Sequence, residues 1–209
     1  IVCSTNVPEP TWHGRVENQN LHAANTPHVL IITHPEFAEA AYRLATHRQQ
    51  AGNLSVMVAT TTQVYNEFSN GRQDVAAIRD FAKYLHGKNS GVLKALLLLG
   101  RGSYDYKDRV TNNTNYVPVY ESRNSLHPLD TYSSDDFFGF LDDDEGNWGE
   151  LPAQQHTVDI GVGRLPVSTR EEAADVVDKI IAYETNGNVF GRWRNDVVFV
   201  ADDGDSNIH

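Results

Sequence analysis

Five short apolar runs punctuate this chain, and each is followed by polar residues or by a stretch with helical periodicity. His28-Val-Leu-Ile-Ile-Thr33 is β-branched and apolar, and Pro35 to Gln50 then places Phe37, Ala41, Leu44 and Ala45 on one helical face, with Gly52 expected to close the helix. Leu54 to Thr60 reads as a second strand. A helix starts at Asp74, whose side chain can cap it, and buries Ile78, Phe81, Ala82 and Leu85. Leu93 to Leu99 supplies a third strand and Thr157 to Gly163 a fourth. The helix from Thr169 to Thr185 has Thr169 and Glu172 at capping-box spacing and a stripe of Ala173, Val176, Val177, Ile180 and Ile181. Val197 to Ala201 reads as a fifth strand.

Alternation of helices with nearly continuous apolar strands predicts an α/β fold, a three-layer sandwich with a mainly parallel sheet covered on both faces. Residues 1–27 are polar, rich in Asn and without a sustained period, and read as a leader or as a segment draped over the body. The α/β body then runs over 28–201, with the acidic residues 202–209 after it. In parallel sheets ligands bind beyond the carboxyl ends of the strands, so the loops beginning at His34, Thr61, Gly100, Arg164 and Asp202 are where function is expected.

Charge narrows the partners. Seventeen Lys and Arg against 28 Asp and Glu leave a formal charge of −11, which repels phosphate backbones and anionic lipid and argues against nucleic acid. No run approaches the roughly 20 apolar residues of a membrane-spanning helix. Residues 1–10 lack the basic start and apolar middle of a signal peptide. A single cysteine, Cys3, excludes an internal disulfide and a cysteine-rich zinc site, and its polar surroundings offer nothing to lower its pKa. The nine histidines include no pair at the helical spacing of a zinc hydrolase, and no serine occupies a nucleophile elbow.

Three segments could carry chemistry. Gly100-Arg-Gly-Ser-Tyr-Asp105 has the start of a dinucleotide-binding turn but lacks its third glycine and a following helix, so it reads as a turn whose glycines take angles other residues resist. Asp130 to Glu150 holds eight carboxylates around Phe137, Phe138, Phe140 and Trp148. Hard oxygen donors in a glycine-punctuated loop suit calcium, with Asp135, Asp142 and Asp144 as candidate ligands, although no EF-hand frame fits. A solvated acidic hairpin over packed aromatic rings accounts for the same letters. Past the last strand, Asp202, Asp203, Asp205 and His209 could hold a cation, orient a histidine or receive a basic side chain, and a turn-and-cap role for Asp203 and Asp205 uses the same residues.

The order of several motifs carries a resemblance. Asn18-Gln-Asn-Leu-His-Ala23, Val64-Tyr-Asn-Glu-Phe-Ser69, Gln73-Asp-Val-Ala-Ala-Ile-Arg79, Leu98-Leu-Gly-Arg-Gly-Ser-Tyr-Asp105, Ser134-Asp-Asp-Phe-Phe-Gly-Phe-Leu141, Asp159-Ile-Gly-Val-Gly-Arg-Leu-Pro166 and Val198-Phe-Val-Ala-Asp-Asp-Gly-Asp205 follow one another as in the gingipain family of cysteine peptidases, in particular its type IX secretion sortases. The resemblance implies a caspase/gingipain-like N-terminal subdomain at 28–201 and the truncated start of a second catalytic subdomain at 202–209. It implies a cell-surface enzyme, associated with the outer membrane, that removes the C-terminal signal of secreted cargo and transfers the cargo to a lipopolysaccharide anchor through a thioester. Its partners would be the second subdomain, the cargo and an outer-membrane β-barrel protein. The family's catalytic His and Cys would fall beyond His209, so this part alone would be inactive. By the same match Asp203 would orient that histidine, while Asp202, Asp205, Ser206 and Asn207 would border the substrate. Ser206 stands where arginine-specific members carry an acidic residue, and Arg101 where an acidic residue is expected after the glycine. A non-catalytic module binding a partner or calcium is the competing expectation, and a receiver-like domain using Asp202 and Asp203 is a weaker one.

Overall fold

Four five-residue strands make the sheet. In the computed structural model, which describes residues 9, 11–12, 14–122, 131–145 and 156–199, these are β1 (Val29–Thr33), β2 (Val56–Thr60), β3 (Ala95–Leu99) and, later in the chain, β6 (Gly161–Leu165). Their order is β2-β1-β3-β6 and every pair is parallel, with Val29 level with Val56 and Ala95, and Ala95 level with Gly161. A two-stranded antiparallel ribbon of β4 (Tyr120–Glu121) and β5 (Ser133–Ser134) stands apart.

Helices cover both faces. Leu30, Ile32, Leu96 and Leu98 point into one core with Ile78, Phe81, Ala82 and Leu85 of α3 (Val75–Lys88) and Val64 of α2 (Thr61–Phe68). Ile31, Leu97 and Leu99 point the other way, against Ala41, Leu44 and Ala45 of α1 (Ala38–Gly52) and Ala173 and Val177 of α4 (Arg170–Thr185). This period of two, buried on both sides, is why the strands carry apolar residues at every position. The three-layer α/β expectation holds.

Local departures have local causes. Thr61 opens α2 rather than a loop: the Thr60 hydroxyl accepts from Gln63 N while Gln63 accepts from Thr60 N, a capping box at a position where the sequence shows no helical start of the usual apolar kind. Gly52 is the last residue of α1, and Asn53, at φ 49°, takes the left-handed position after it. The fourth strand begins at Gly161 instead of Thr157, because Asp159 N bonds Gly139 O and holds the preceding residues against the 3-10 turn Asp136–Gly139. At α4, Thr169 accepts from Glu172 N, but Glu172 accepts from Ser168 N rather than completing the box. The fifth strand does not form over its described part: Val197 to Phe199 has no ladder and Phe199 is 90% exposed, since among the described residues no strand lies beside it.

The polar residues before β1 are partly drawn in. Leu21 is buried, and Glu67 accepts from Leu21 N at 2.7 Å, from Gln19 Nε2 at 2.8 Å and pairs with His22 Nδ1 at 2.7 Å. Burial by itself would raise the Glu67 carboxyl, and these hydrogen bonds from Leu21, Gln19 and His22 bring it below the ordinary range. Among the described residues no helix is long and apolar enough to cross a membrane.

Candidate functional site

The carboxyl ends of β3 and β6 open into a cleft of about 610 Å³ whose walls include Arg101, Tyr104, Glu121, Tyr132, Asp135 and Arg164. β3 is followed by Gly100, whose φ of 144° only glycine adopts readily and whose missing Cβ would meet Val117 Cγ2 at 2.8 Å. Gly102 has no such angle. A Cβ there would press on Val117 O and Val119 Cβ at 3.2 Å, so its glycine serves close packing. The chain after Asp105 turns back instead of entering a helix, and Asp105 closes the turn by accepting from Val110 N at 2.6 Å and Lys107 N at 3.3 Å. That use of Asp105 removes the dinucleotide reading.

One side chain assembles the cleft. Arg164, the penultimate residue of β6, sends Nε and Nη2 to the two carboxylate oxygens of Asp135, both at 2.7 Å. Its Nη1 donates to Gly100 O and Val117 O at 2.7 Å, and Nη2 also to Pro118 O at 3.1 Å. The planar guanidinium thus fastens the loop after β3, the segment at Val117–Pro118 that returns to it and the β5 region to one another. Arg101 is held by Asn113 Oδ1 at 2.9 Å. Burial raises the Glu121 carboxyl above its usual range. At the neighbouring end of β1, His34 accepts from Glu36 N and packs beside Phe37 and Tyr116, and its burial lowers its pKa in spite of Glu36.

Chemically this is a recognition surface with a half-buried cation–carboxylate clamp. Among the described residues lining the cleft there is no cysteine or histidine to act as nucleophile or base. A second buried arginine lies behind the acidic loop: Arg79 Nε donates to Phe140 O at 2.6 Å and Nη2 to Asp142 O at 3.3 Å. Beneath that loop Phe137, Phe138 and Phe140 are buried.

The predicted site residues separate. Asp135 belongs to Arg164, Asp144 stays in the exposed loop, and Asp142 gathers with Glu145 and Asp159, one carboxylate oxygen of each lying within 4.8 Å of the others. Asp202, Asp203, Asp205, Ser206, Asn207 and His209, like Cys3, Trp148 and Glu150, lie outside the described residues. Sequence reasoning missed Arg164 as the organiser and Glu121 as a half-buried acid. Arg164 had a signal, a lone cation ending a glycine-rich strand in Gly161-Val-Gly-Arg164, whereas Glu121 had none.

Known proteins bear on this geometry. Residues 22–209 match the sequence model of peptidase family C25. Among solved structures, dimeric latent PorU from Porphyromonas gingivalis is 32% identical with a TM-score of 0.74, over 88% of this chain and 18% of that one. The complex of Porphyromonas gingivalis RgpB pro- and mature domains matches over 76% of this chain and 29% of that one, at 18% identity and a TM-score of 0.52, a likeness of fold alone. No curated protein matches. The chain therefore spans less than a third of either matched structure.

Proposed function

Since the chain belongs to peptidase family C25, the gingipain family of cysteine peptidases, we propose that it is the N-terminal α/β part of a PorU-like sortase acting at the bacterial outer-membrane surface. The likeness to PorU, 32% identical over 88% of the chain, carries this reading. In it, a thiolate and a histidine from a second subdomain do the chemistry. The thiolate attacks the carbonyl joining cargo to its C-terminal signal, the signal leaves as an amine protonated by the histidine, and a thioester remains. Backbone amides hold the oxyanion. An amine on a lipopolysaccharide anchor then attacks the thioester and frees the thiolate. Asp203 would orient the histidine, with Asp202, Asp205, Ser206 and Asn207 beside the substrate, and an outer-membrane β-barrel protein would hold the enzyme in place. Residues 1–209 alone would bring the framework and no cleavage.

The test compares two samples against a cargo protein ending in a type IX signal domain: the full-length protein and residues 1–209. Intact mass should show signal removal by the full-length protein, a cargo adduct when an amine acceptor is added, and loss of both after iodoacetamide. Cleavage that survives alkylation would overturn the thiolate chemistry, and no cleavage by the full-length protein would overturn the reading in favour of a non-catalytic partner- or ion-binding module.

A further inference from the structure

The cleft beyond β3 and β6 keeps polar groups that the fold does not use. Glu121 of β4 sets a half-buried carboxylate in its wall, with no hydrogen bond and no ion pair among the described residues. Burial alone raises that carboxyl, so no donor of the described protein replaces the water it has lost. Arg101, exposed on the same wall, gives one N–H to Asn113 Oδ1 and leaves the rest of its guanidinium free. Ser103 Oγ accepts from Asp105 N at 2.9 Å and Ser134 Oγ from Asp136 N at 3.2 Å, and each hydroxyl proton is left to donate. Tyr104, 70% exposed, and Tyr132, 37% exposed, add two aromatic rings.

Charge decides against an ionic ligand. The described lining sets Arg101 and Arg164 against Glu121 and Asp135, so formal charges cancel: a cation drawn to Glu121 meets two guanidinium groups in the same cleft, and an anion meets two carboxylates. A peptide gains most from a free strand edge with pockets for its side chains, and the aliphatic members of the described lining are only Val119 and Pro166. A neutral sugar suits what is left. Its hydroxyls both donate and accept, so one can donate to Glu121 while others take N–H from Arg101 and O–H from the serines. Its polarised C–H groups suit the electron-rich face of a tyrosine. The volume of about 610 Å³ lies within the roughly 300–1,000 Å³ of small-ligand sites.

We propose that this cleft binds a neutral sugar unit of a saccharide chain, with Glu121 and Arg101 holding its hydroxyls and Tyr104 lying against its ring. The Arg164 clamp joins Gly100, Val117 and Asp135, so the wall is fixed before the sugar enters. The identity of the saccharide rests on the sortase reading above. Under it, the sugar belongs to the lipopolysaccharide acceptor, held on the first subdomain while the thioester forms on the second.

The probe is the polysaccharide released by mild acid from the source bacterium's lipopolysaccharide and freed of lipid, with dextran of similar length as the control. Binding to the full-length protein, treated with iodoacetamide to stop turnover, is read by saturation-transfer NMR and calorimetry. Expected are transfer to sugar ring protons and a roughly fivefold or greater loss of affinity in both Tyr104→Ala and Glu121→Ala. No binding of the polysaccharide, wild-type affinity in Tyr104→Ala, or tighter binding of a lysine-rich peptide that displaces the sugar overturns the proposal. Equal affinity for dextran keeps the site and overturns its assignment to the acceptor. Should Glu121→Ala lower the melting temperature, Tyr104→Ala still decides, since that side chain is exposed and makes no contact that the fold needs. Cleavage is not the readout. Failure here leaves the sortase reading standing, and a protein that binds the polysaccharide but cleaves no cargo keeps the sugar site while the sortase reading falls.

Discussion

Replacing Arg164 with Met should cost this domain more stability than any single loop substitution, and the magnitude follows from its contacts. Five charge-assisted N–H···O contacts between 2.7 and 3.1 Å converge on one guanidinium that is 13% exposed. At about 1.5–3 kcal/mol each they would sum to far more than one side chain delivers, because they share a single desolvation and a single loss of rotamer freedom. The better guide is the roughly 3–5 kcal/mol lost when one partner of a buried pair is removed. Asp135, 24% exposed, can recover some water, so about 3 kcal/mol is expected. Arg164→Lys keeps the charge but cannot span Asp135 and three carbonyls, and should lose about two-thirds as much. Urea denaturation of the wild type, Arg164→Met, Asp135→Asn and the double variant gives the values and the coupling between the pair, expected to exceed about 1 kcal/mol. A loss below about 1 kcal/mol for Arg164→Met, or additive single variants, would refute the view that this residue holds the cleft together.

Three other outcomes follow from equally local features. Gly139→Ala places a Cβ 2.8 Å from Val158 Cγ1 and 3.2 Å from Ile160 O, and should cost about 1–3 kcal/mol, read as a lowered melting temperature. Glu67→Ala removes the acceptor shared by Gln19, Leu21 and His22, so limited proteolysis should cut near residue 20 faster in the variant than in the wild type. Because burial holds the His34 pKa below its value of about 6.5 in the unfolded chain, the unfolded state binds more protons on acidification. The contribution of His34 is therefore complete above that value and is lost as pH falls toward the folded pKa. His34→Asn keeps a capping acceptor for Glu36 N, and its stability should fall less than the wild type's between pH 7.5 and 5.5.

Helices α3 and α4, together with the strands, were legible because their signals are short in range. Asp74 and Thr169 cap where their spacing says they should, and Leu30, Ile32, Leu96 and Leu98 alternate with Ile31, Leu97 and Leu99 between two cores. Errors fell where a contact between distant residues decided the outcome. The Asp159 N bond to Gly139 O delays β6, and Val197 to Phe199 stays irregular for lack of a neighbour, although its composition is that of a strand.

What the sequence by itself determined is the layer architecture, through apolar runs and caps that act within a few residues, and the family resemblance, through the order of short motifs. The tertiary structure alone decided which charged groups share a site. Arg164 and Asp135 are 29 residues apart, and Glu145 and Asp159 come from opposite sides of residues 146–155. The unpaired ring of His156 has no trace in the letters, since a buried orphan nitrogen differs from an exposed histidine only in what surrounds it. Periodicity reports the face a residue occupies, and the neighbours that give a charge its function are set by how the elements pack.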